Sequence, residues 1–315
     1  MEPAPFHADL AAGPGGGPVN GHAVWLTTPD DVRIRAGFWP GGTKGTVFLL
    51  CGRTEFIEKY GPTARDLAQA GYAAASIDWR GQGLADRLAA DPMLGHVEKF
   101  SDYQMDLAAM ITAARSTGMP EPYILLGHSM GGAIGYRALL SDHPFQGAIF
   151  SGPMWGIAIN PVLAPLARSI AQFLIALGRS TAFAPSTRRV SYVATGDFAG
   201  NTLTHDHEIW KWMQSQARGV EGFALGGPSV RWLFEALTET RAFRAEPPAK
   251  VPALVAWGGE ETIIDVAAVS RLAQRLPQAD IKVIEGARHE LLMEAPRQRQ
   301  EFLEAIVSLL DRITT

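Results

Sequence analysis

Short, uninterrupted apolar runs recur along the first half of the chain and again near its end. Strands that are buried on both faces of a sheet carry such runs, so each run predicts a β-strand. The runs are TVFLL (46–50), YAAASI (72–77), YILLG (123–127), GAIFS (147–151), ALVAWG (253–258) and the shorter IKVI (281–284). One more segment, VRIRAGFW (32–39), alternates apolar residues with Arg33 and Arg35, which predicts a strand with one solvated face.

Helical patterns lie between these runs, at 61–71, 100–118 and 130–143, and a last one closes the chain at 296–313. Strands that alternate with helices form parallel sheets with helices on both faces. The sequence therefore predicts an α/β fold with a mostly parallel, doubly wound sheet of about eight strands.

The alternation stops between residues 154 and 245. This stretch is rich in tryptophan and has mixed helical signals but no convincing buried strand. It predicts a mainly helical cap inserted into a core formed by residues 23–153 and 246–315. Residues 1–22 are dense in proline and glycine and predict an irregular leader.

Charge and cysteine content exclude some function classes. The formal net charge is −4 and the pI is near 6.1, so no basic field favours nucleic acid. Cys51 is the single cysteine, which excludes an intramolecular disulfide and a cysteine-rich zinc site. With no basic, apolar signal sequence at the N-terminus, we expect a cytoplasmic protein.

The longest nearly apolar segment is PVLAPLARSIAQFLIALG (161–178), which Arg168 and Gln172 interrupt. It falls short of the ~18 uninterrupted apolar residues of a spanning helix. It predicts an amphipathic helix packed on the body, with an apolar face that touches lipid as the alternative.

The segment YILLGHSMGGAI (123–134) crowds glycines around Ser129. A strand that turns at once into a helix needs small neighbours, which Gly127 and Gly131 provide, and it holds its central side chain at the carboxyl edge of the sheet. Backbone N–H groups at the start of the following helix can stabilise an oxyanion. Ser129 is therefore predicted to be a nucleophile.

A serine nucleophile needs a base and an acid, which follow it in the order acid, histidine in this architecture. His289 is the only histidine after the insertion and is the predicted base. The loop after ALVAW offers Glu260, Glu261 and Asp265 as the acid; Glu261 is favoured by spacing, while Asp265 could instead cap a helix. The choice between Glu261 and Asp265 stays open.

The oxyanion donors are predicted to be the backbone N–H groups of Arg53, in the turn after TVFLL, and Met130. The side chain of Arg53 could brace this loop against Glu55 or could meet a phosphate-bearing headgroup.

With these residues located, the chain resembles the α/β-hydrolases of the monoacylglycerol lipase and lysophospholipase group, most closely the bacterial lysophospholipases. The resemblance covers nearly the whole chain after the leader. It lies in CGRTEFIEKYG, IDWRGQGLADRL, DPMLGHVEKFSDY, GHSMGGAI, GPMWGI, LTHD, GGPSVRW, EETIID and GARHE. Carried over by position, it implies the nucleophile Ser129, the base His289 and the acid Glu261. Cys51 replaces a histidine common in relatives, and glutamate replaces the commoner aspartate acid.

The resemblance implies hydrolysis of a carboxylic ester that bears one acyl chain, such as a lysophospholipid, without metal or cofactor. A monoacylglycerol lipase, a small-ester carboxylesterase and a non-catalytic ligand-binding member of the fold are the alternatives. Trp155, Trp210 and Trp232 of the cap are expected to bind the acyl chain. A lipid substrate also implies that the protein contacts a membrane peripherally, at its inner face and through the cap. The sequence leaves the oligomeric state open.

Overall fold

The computed structural model describes residues 1–14, 16, 20–159, 162 and 164–314. In these residues nine strands form one sheet, in the order β1-β2-β3-β5-β4-β6-β7-β8-β9. The strands are β1 Glu2–Ala4, β2 His22–Thr27, β3 Arg33–Trp39, β4 Thr46–Leu50, β5 Ala73–Asp78, β6 Tyr123–His128, β7 Phe145–Ser151, β8 Ala253–Gly258 and β9 Ala279–Ile284. The β1–β2, β2–β3 and β3–β5 pairs are antiparallel, and the other pairs are parallel.

Within the part of the chain that the structure describes, ten α-helices cover the sheet and fill its connections. They are α1 Ala8–Ala12, α2 Gly61–Gln69, α3 Tyr103–Ser116, α4 Met130–Ala138, α5 Ala164–Ala176, α6 Tyr192–Thr195, α7 His207–Gly219, α8 Val230–Ala242, α9 Val266–Ala273 and α10 Pro296–Thr314. Short 3-10 helices occupy Ile57–Tyr60, Phe100–Asp102 and Leu291–Met293. The predicted doubly wound α/β fold is confirmed, with one strand more than the predicted number.

The core lies on both faces of the parallel strands. All residues of β4, β6 and β8 are buried, which is why these strands read as unbroken apolar runs in the sequence. Their carboxyl ends carry the loops that follow Leu50, His128 and Gly258, and these loops meet at one edge of the sheet.

Strand β3 differs from the sequence expectation of a solvated face. Arg35 is fully buried and makes ion pairs with Glu58 at 2.7 Å and Asp78 at 2.8 Å. Its Nη1 also donates to the carbonyl oxygen of Pro5. Charged partners from later in the chain therefore bury Arg35, whereas Arg33, at the start of β3, stays exposed.

The N-terminal segment also differs from the expected irregular leader. β1 pairs with β2, so the first residues extend the sheet by one strand. The carbonyl oxygen of Leu10, in α1, accepts hydrogen bonds from Trp212 Nε1 at 2.9 Å and Gln216 Nε2 at 3.0 Å. Polar side chains of α7 thus hold this segment, although residues 15 and 17–19 lie outside the described residues.

Between β7 and β8 the described residues contain the four helices α5–α8 and no strand of the sheet. We call residues 154–245 the cap, of which 160, 161 and 163 lie outside the described residues. The predicted helix over 161–178 corresponds to α5, which packs against α8 and has Arg168 Nε donating to Thr238 Oγ1 at 3.0 Å. None of the helices described here has the length and apolar character needed to cross a bilayer.

Candidate active site

Ser129 occupies the sharp turn between β6 and α4. Its backbone is strained, with φ at 49° and ψ at −116°, a conformation that residues other than glycine rarely adopt. The neighbouring glycines have no room for a side chain: a Cβ on Gly127 would lie 2.7 Å from the carbonyl oxygen of Gly131, and a Cβ on Gly131 would lie 2.1 Å from that of Leu50. This close packing of strand and helix holds the turn in its strained shape.

The backbone N–H groups of Met130 and Arg53, near this turn, have no acceptor among the described residues. Met130 is the first residue of α4, so its N–H has no partner within the helix. The other group belongs to Arg53, in the turn after β4, whose neighbours Gly52 and Thr54 donate to Glu55 and Gln82. Both Arg53 and Met130 are therefore available to bind an oxygen that carries negative charge.

His289 and Glu261 form a short hydrogen bond. Nδ1 of His289 lies 2.6 Å from Oε2 of Glu261, and both side chains are almost fully buried. The other carboxylate oxygen of Glu261 accepts from the backbone N–H of Ile263 at 2.6 Å. Burial opposes ionisation of Glu261, but these hydrogen bonds outweigh burial and lower the pKa of the carboxyl group. Glu261 is thus held as a carboxylate that fixes the imidazole.

Asp265, the alternative acid, has another partner. Its carboxylate accepts from the backbone N–H of Ala268 at 3.0 Å and caps the N-terminus of α9. An aspartate in this position satisfies a helical N–H that has no intrahelical acceptor. The structure therefore brings Glu261, and not Asp265, to His289.

The imidazole of His289 lies beside the turn that holds Ser129. Its ring centroid is 4.8 Å from that of His128, the residue before Ser129. A Cβ on Gly152 would lie 3.2 Å from its Nδ1, and the neighbouring Ser151 accepts the backbone hydrogen bond of Ser129 at 3.0 Å. The base predicted from the end of the chain is thus packed against the segments on both sides of the nucleophile.

Ser129 and His289 both line a cavity of about 650 Å³ between the core and the cap. Most of its wall is apolar and comes from the cap and the loop after β8. Apolar residues of this wall include Ile157, Ile170, Leu203, Met213, Leu233 and Ile263. A cavity of this size and lining suits a small-molecule ligand with a long apolar part.

A buried charge network lies in the polar wall of this cavity. The ammonium of Lys59 is 2.5 Å from Oε1 of Glu55 and 2.6 Å from Oε1 of Glu290. Nε2 of His128 lies 3.3 Å from the other oxygen of Glu290, and all four side chains are at most 7% exposed. We call Glu55, Lys59, His128 and Glu290 the charge network.

The charge network touches each segment that contributes to the candidate site. Glu55 accepts from the N–H of Gly52, beside Arg53, while His128 and Glu290 are the chain neighbours of Ser129 and His289. Burial disfavours a charged imidazole, but the carboxylates of Glu290 and Glu55 outweigh burial and raise the pKa of His128. The side chains of Glu55, His128 and Glu290 are spaced as metal ligands would be. However, the two carboxylates already hold a cation, the ammonium of Lys59, between them.

A sequence model of one protein family, described as Serine aminopeptidase, S33 (Hydrolase_4), matches residues 41–296. The chain belongs to this α/β-hydrolase family. Lysophospholipase L2 of Escherichia coli strain K12 is 32% identical to the hydrolase over 299 residues, which cover 91% of this chain and 86% of that protein. Monoacylglycerol lipase of Mycolicibacterium smegmatis is 26% identical and covers 85% of this chain and 89% of its own.

Solved structures show the same fold. A soluble variant of monoglyceride lipase from Saccharomyces cerevisiae, in complex with a substrate analog, has a TM-score of 0.69 at 20% identity and covers 92% of this chain and 95% of its own. A carboxyl esterase from Bacillus coagulans, in complex with glycerol, has a TM-score of 0.72 at 18% identity. The match covers 94% of this chain and 99% of the esterase chain. The predicted family, fold and enzyme class, an ester hydrolase, are confirmed.

The three cap tryptophans of the hydrolase have different places. Trp232 lines the cavity, whereas Trp155 and Trp210 are not among the lining residues. Trp155 donates to the carbonyl oxygen of Gly132 at 3.2 Å and packs against Phe150, and Trp210 is buried beside Tyr192. In contrast with the sequence expectation, these two side chains fill the interior around the cap instead of facing a ligand.

Sequence reasoning missed the charge network of the hydrolase. Glu55 and Lys59 lie within the segment CGRTEFIEKYG, and Glu290 directly follows His289. The available signal was the position of these charged residues in or beside the segments that carry predicted site residues. The pairing itself joins positions 231 residues apart and leaves no local pattern.

Proposed function

We propose that the hydrolase cleaves the carboxylic ester of a single-chain lipid, a lysophospholipid, through an acyl-enzyme on Ser129. His289 takes the proton of the Ser129 hydroxyl as the oxygen attacks the ester carbonyl, and Glu261 stabilises the imidazolium. The N–H groups of Arg53 and Met130 bind the oxyanion of the tetrahedral intermediate. His289 then protonates the departing alcohol, and a water molecule attacks the acyl-enzyme in the same way and releases the fatty acid.

The observation that carries this proposal is the 2.6 Å hydrogen bond between His289 and Glu261. It fixes one tautomer of the imidazole, with Nδ1 as donor, so that Nε2 is the nitrogen left to accept a proton. The strained turn at Ser129 supports the same chemistry, as do the N–H groups of Arg53 and Met130, which have no acceptor in the described part of the chain. Each group has a place in one mechanism of acyl transfer.

The apolar cavity supports an acyl chain as the substrate part that it binds. Each buried CH₂ contributes about 0.8 kcal/mol, so a long chain gains much of its affinity from this wall. Trp232 belongs to the wall near Arg53. The relative from Escherichia coli, named lysophospholipase L2, supports the lysophospholipid over a small ester, for which most of the cavity would stay empty.

Labelling with a fluorophosphonate probe tests the catalytic part. Ser129→Ala should abolish labelling, and Ser215→Ala, which removes an exposed hydroxyl on α7, should not. A non-catalytic binding protein would leave the wild type unlabelled. Rates on p-nitrophenyl esters of increasing acyl length test the lipid part, because a maximum at short chains would exclude a lipid substrate.

We further propose that α5 rests on a lipid surface from which the substrate enters. Leu166, Ile170, Phe173 and Leu177 are 40–63% exposed and recur every three or four residues, so they form one stripe along or just beyond the helix. Ile170 also lines the cavity, which brings the stripe next to the acyl-binding wall. We therefore keep the prediction that the protein is cytoplasmic and contacts the inner face of the membrane peripherally.

Sedimentation with phospholipid vesicles tests this contact. The double variant Leu166→Ser/Phe173→Ser should bind vesicles less than the wild type. Ile281→Ser/Val283→Ser is the matched control, because these apolar side chains of β9 are 43% and 39% exposed and lie outside the cavity. Equal loss in both variants would contradict a role for α5.

A further inference from the structure

The cavity wall contains an arginine whose charge has no carboxylate partner in the described part of the chain. Arg53 lines the cavity and is half-buried. Its Nη1 donates to the carbonyl oxygen of Gly226 at 2.9 Å, and its guanidinium carbon lies 5.8 Å from the ring centroid of Trp232. Among the described residues, no acidic side chain forms an ion pair with it. Burial lowers the pKa of Arg53 to about 10, so the group stays charged at neutral pH.

The expected alternative partner of Arg53 is already occupied. Glu55 accepts from Lys59 at 2.5 Å, from Tyr60 at 2.6 Å and from the N–H of Gly52. Lys59 also lines the cavity, but its ammonium is paired with the carboxylates of Glu55 and Glu290. Arg53 is different, because its contacts among the described residues are with neutral groups, the carbonyl oxygen of Gly226 and the ring of Trp232.

A cation in this position favours an anionic ligand. Removing a guanidinium from water costs free energy unless a counter-charge or several hydrogen bonds replace the lost hydration. Nε and Nη2 of Arg53 donate to no described residue, which leaves a fork of donors for two oxygens of one phosphate. A neutral glycerol hydroxyl cannot supply that counter-charge.

We propose that the side chain of Arg53 binds the phosphate of the substrate headgroup and so selects single-chain phospholipids over uncharged monoacylglycerols. This inference rests on the proposed function and names the part of the substrate that lies outside the acyl-binding wall. It makes Arg53 a residue with two tasks, in which the backbone N–H binds the oxyanion and the side chain reads the headgroup.

The covalent spacing of substrate and residue agrees with this assignment. In a 1-acyl glycerophospholipid, about six covalent bonds separate the ester carbonyl carbon from the phosphorus, and in arginine about six separate the backbone nitrogen from the guanidinium carbon. A substrate whose carbonyl oxygen meets the N–H of Arg53 can therefore run beside the side chain and place its phosphate at the guanidinium.

The test compares two substrates with the same acyl chain, a lysophosphatidylcholine and a monoacylglycerol. For each variant we would measure kcat/KM on both and take the ratio, with the active fraction counted by fluorophosphonate labelling. Arg53→Gln should lower the ratio of lysophospholipid to monoacylglycerol by roughly 10- to 100-fold, the loss expected for a charge-assisted hydrogen bond. Any disturbance of the backbone N–H affects both substrates and cancels in the ratio.

Two further variants keep the test informative. Arg53→Lys retains the charge without the fork and should give an intermediate ratio. Arg271→Gln removes an exposed arginine of α9 that does not line the cavity and should leave the ratio of the wild type. An Arg53→Gln ratio equal to that of the wild type would overturn the inference. A wild type that hydrolyses neither lipid would instead refute the proposed function.

Inhibition separates a headgroup site from a site for free phosphate. Glycerophosphocholine should inhibit hydrolysis competitively in the wild type and more weakly in Arg53→Gln. Inorganic phosphate should inhibit less than glycerophosphocholine, since it lacks the glycerol that continues toward the ester. Equal inhibition of both proteins by glycerophosphocholine, or stronger inhibition by inorganic phosphate, would contradict the headgroup assignment.

Discussion

Replacing Lys59 with methionine removes the central cation of the charge network while keeping a side chain of similar length. The carboxylates of Glu55 and Glu290 would then lie buried without the ammonium that is now 2.5 and 2.6 Å away. Their side chains are 6% and 7% exposed, so water cannot replace it. We expect Lys59→Met to destabilise the fold and to loosen the turn that carries Arg53.

The magnitude follows from the burial of the pairs. Removing one partner of a buried ion pair costs about 3–5 kcal/mol, because the remaining charge stays uncompensated. Unfolding entropy is about 2.1 cal/mol/K per residue, so for the 315 residues this cost corresponds to a drop in Tm of roughly 5–8 °C. A displacement of the Arg53 N–H by about 1 Å would lower kcat by about 100-fold in the folded enzyme.

Thermal and urea unfolding measure the loss of stability. Esterase rates per labelled active site measure the fall in kcat. Lys211→Met is the matched control: Lys211 pairs with Glu208 at 3.0 Å, but these side chains are 56% and 71% exposed. An exposed pair contributes only about 0–1 kcal/mol. The double variant Lys59→Met/Glu290→Gln should be more stable than Lys59→Met alone, because it removes one of the two buried carboxylates that the ammonium compensates.

Two results would refute this reasoning. One is a loss of stability in Lys59→Met no larger than that in Lys211→Met. The other is a double variant that is no more stable than Lys59→Met alone, since charge compensation predicts a smaller loss of stability in the double variant.

Other predictions follow from single groups. The pKa of Glu290 lies well below its ordinary value of 4.5, because the positive charges of Lys59 and His128 outweigh the effect of burial. The carboxylate therefore stabilises the fold fully above pH 4.5. This contribution is lost as the pH falls through the lower pKa of the folded state. Glu290→Gln should flatten the dependence of the urea midpoint on pH below about 5, and an unchanged slope would contradict this. Glu261→Gln should lower kcat by about 10⁴-fold at nearly unchanged KM, in steady-state assays. Asp265→Ala should instead cost about 0.5–2 kcal/mol of unfolding free energy, and a loss of activity as large as that of Glu261→Gln would reverse their assignment. Gly131→Ala should prevent correct folding, because its Cβ would lie 2.1 Å from a carbonyl oxygen; a native circular dichroism spectrum and melting curve would contradict this.

Much of the fold could be predicted because its signals are local. The buried strands appear as apolar runs, since both faces of a central parallel strand are covered. The turn at Ser129 was predictable for the same reason, because strand, small residues and helix are consecutive in the chain. The N-terminal strand was missed, because it has only three residues, one of them Pro3, and carries no periodic pattern.

The acid of the site shows where local reasoning ends. Glu260, Glu261 and Asp265 lie within six positions of one loop, and each has the chemistry of a triad acid. The fold decides between them: one carboxylate lies 2.6 Å from His289, and another caps α9. The sequence could only favour a candidate by its spacing.

By itself, the sequence determined the layered α/β architecture, the inserted helical segment and the place of the serine on a sharp turn, since each depends on neighbours in the chain. Only the tertiary structure decided which charges are paired, which tryptophan faces the cavity, and that Arg53 of the cavity wall has no ion pair among the described residues. The physical reason is that burial and ion pairing depend on distances between residues far apart in the chain, such as Lys59 and Glu290. Folding sets these distances, and no pattern of neighbouring residues encodes them.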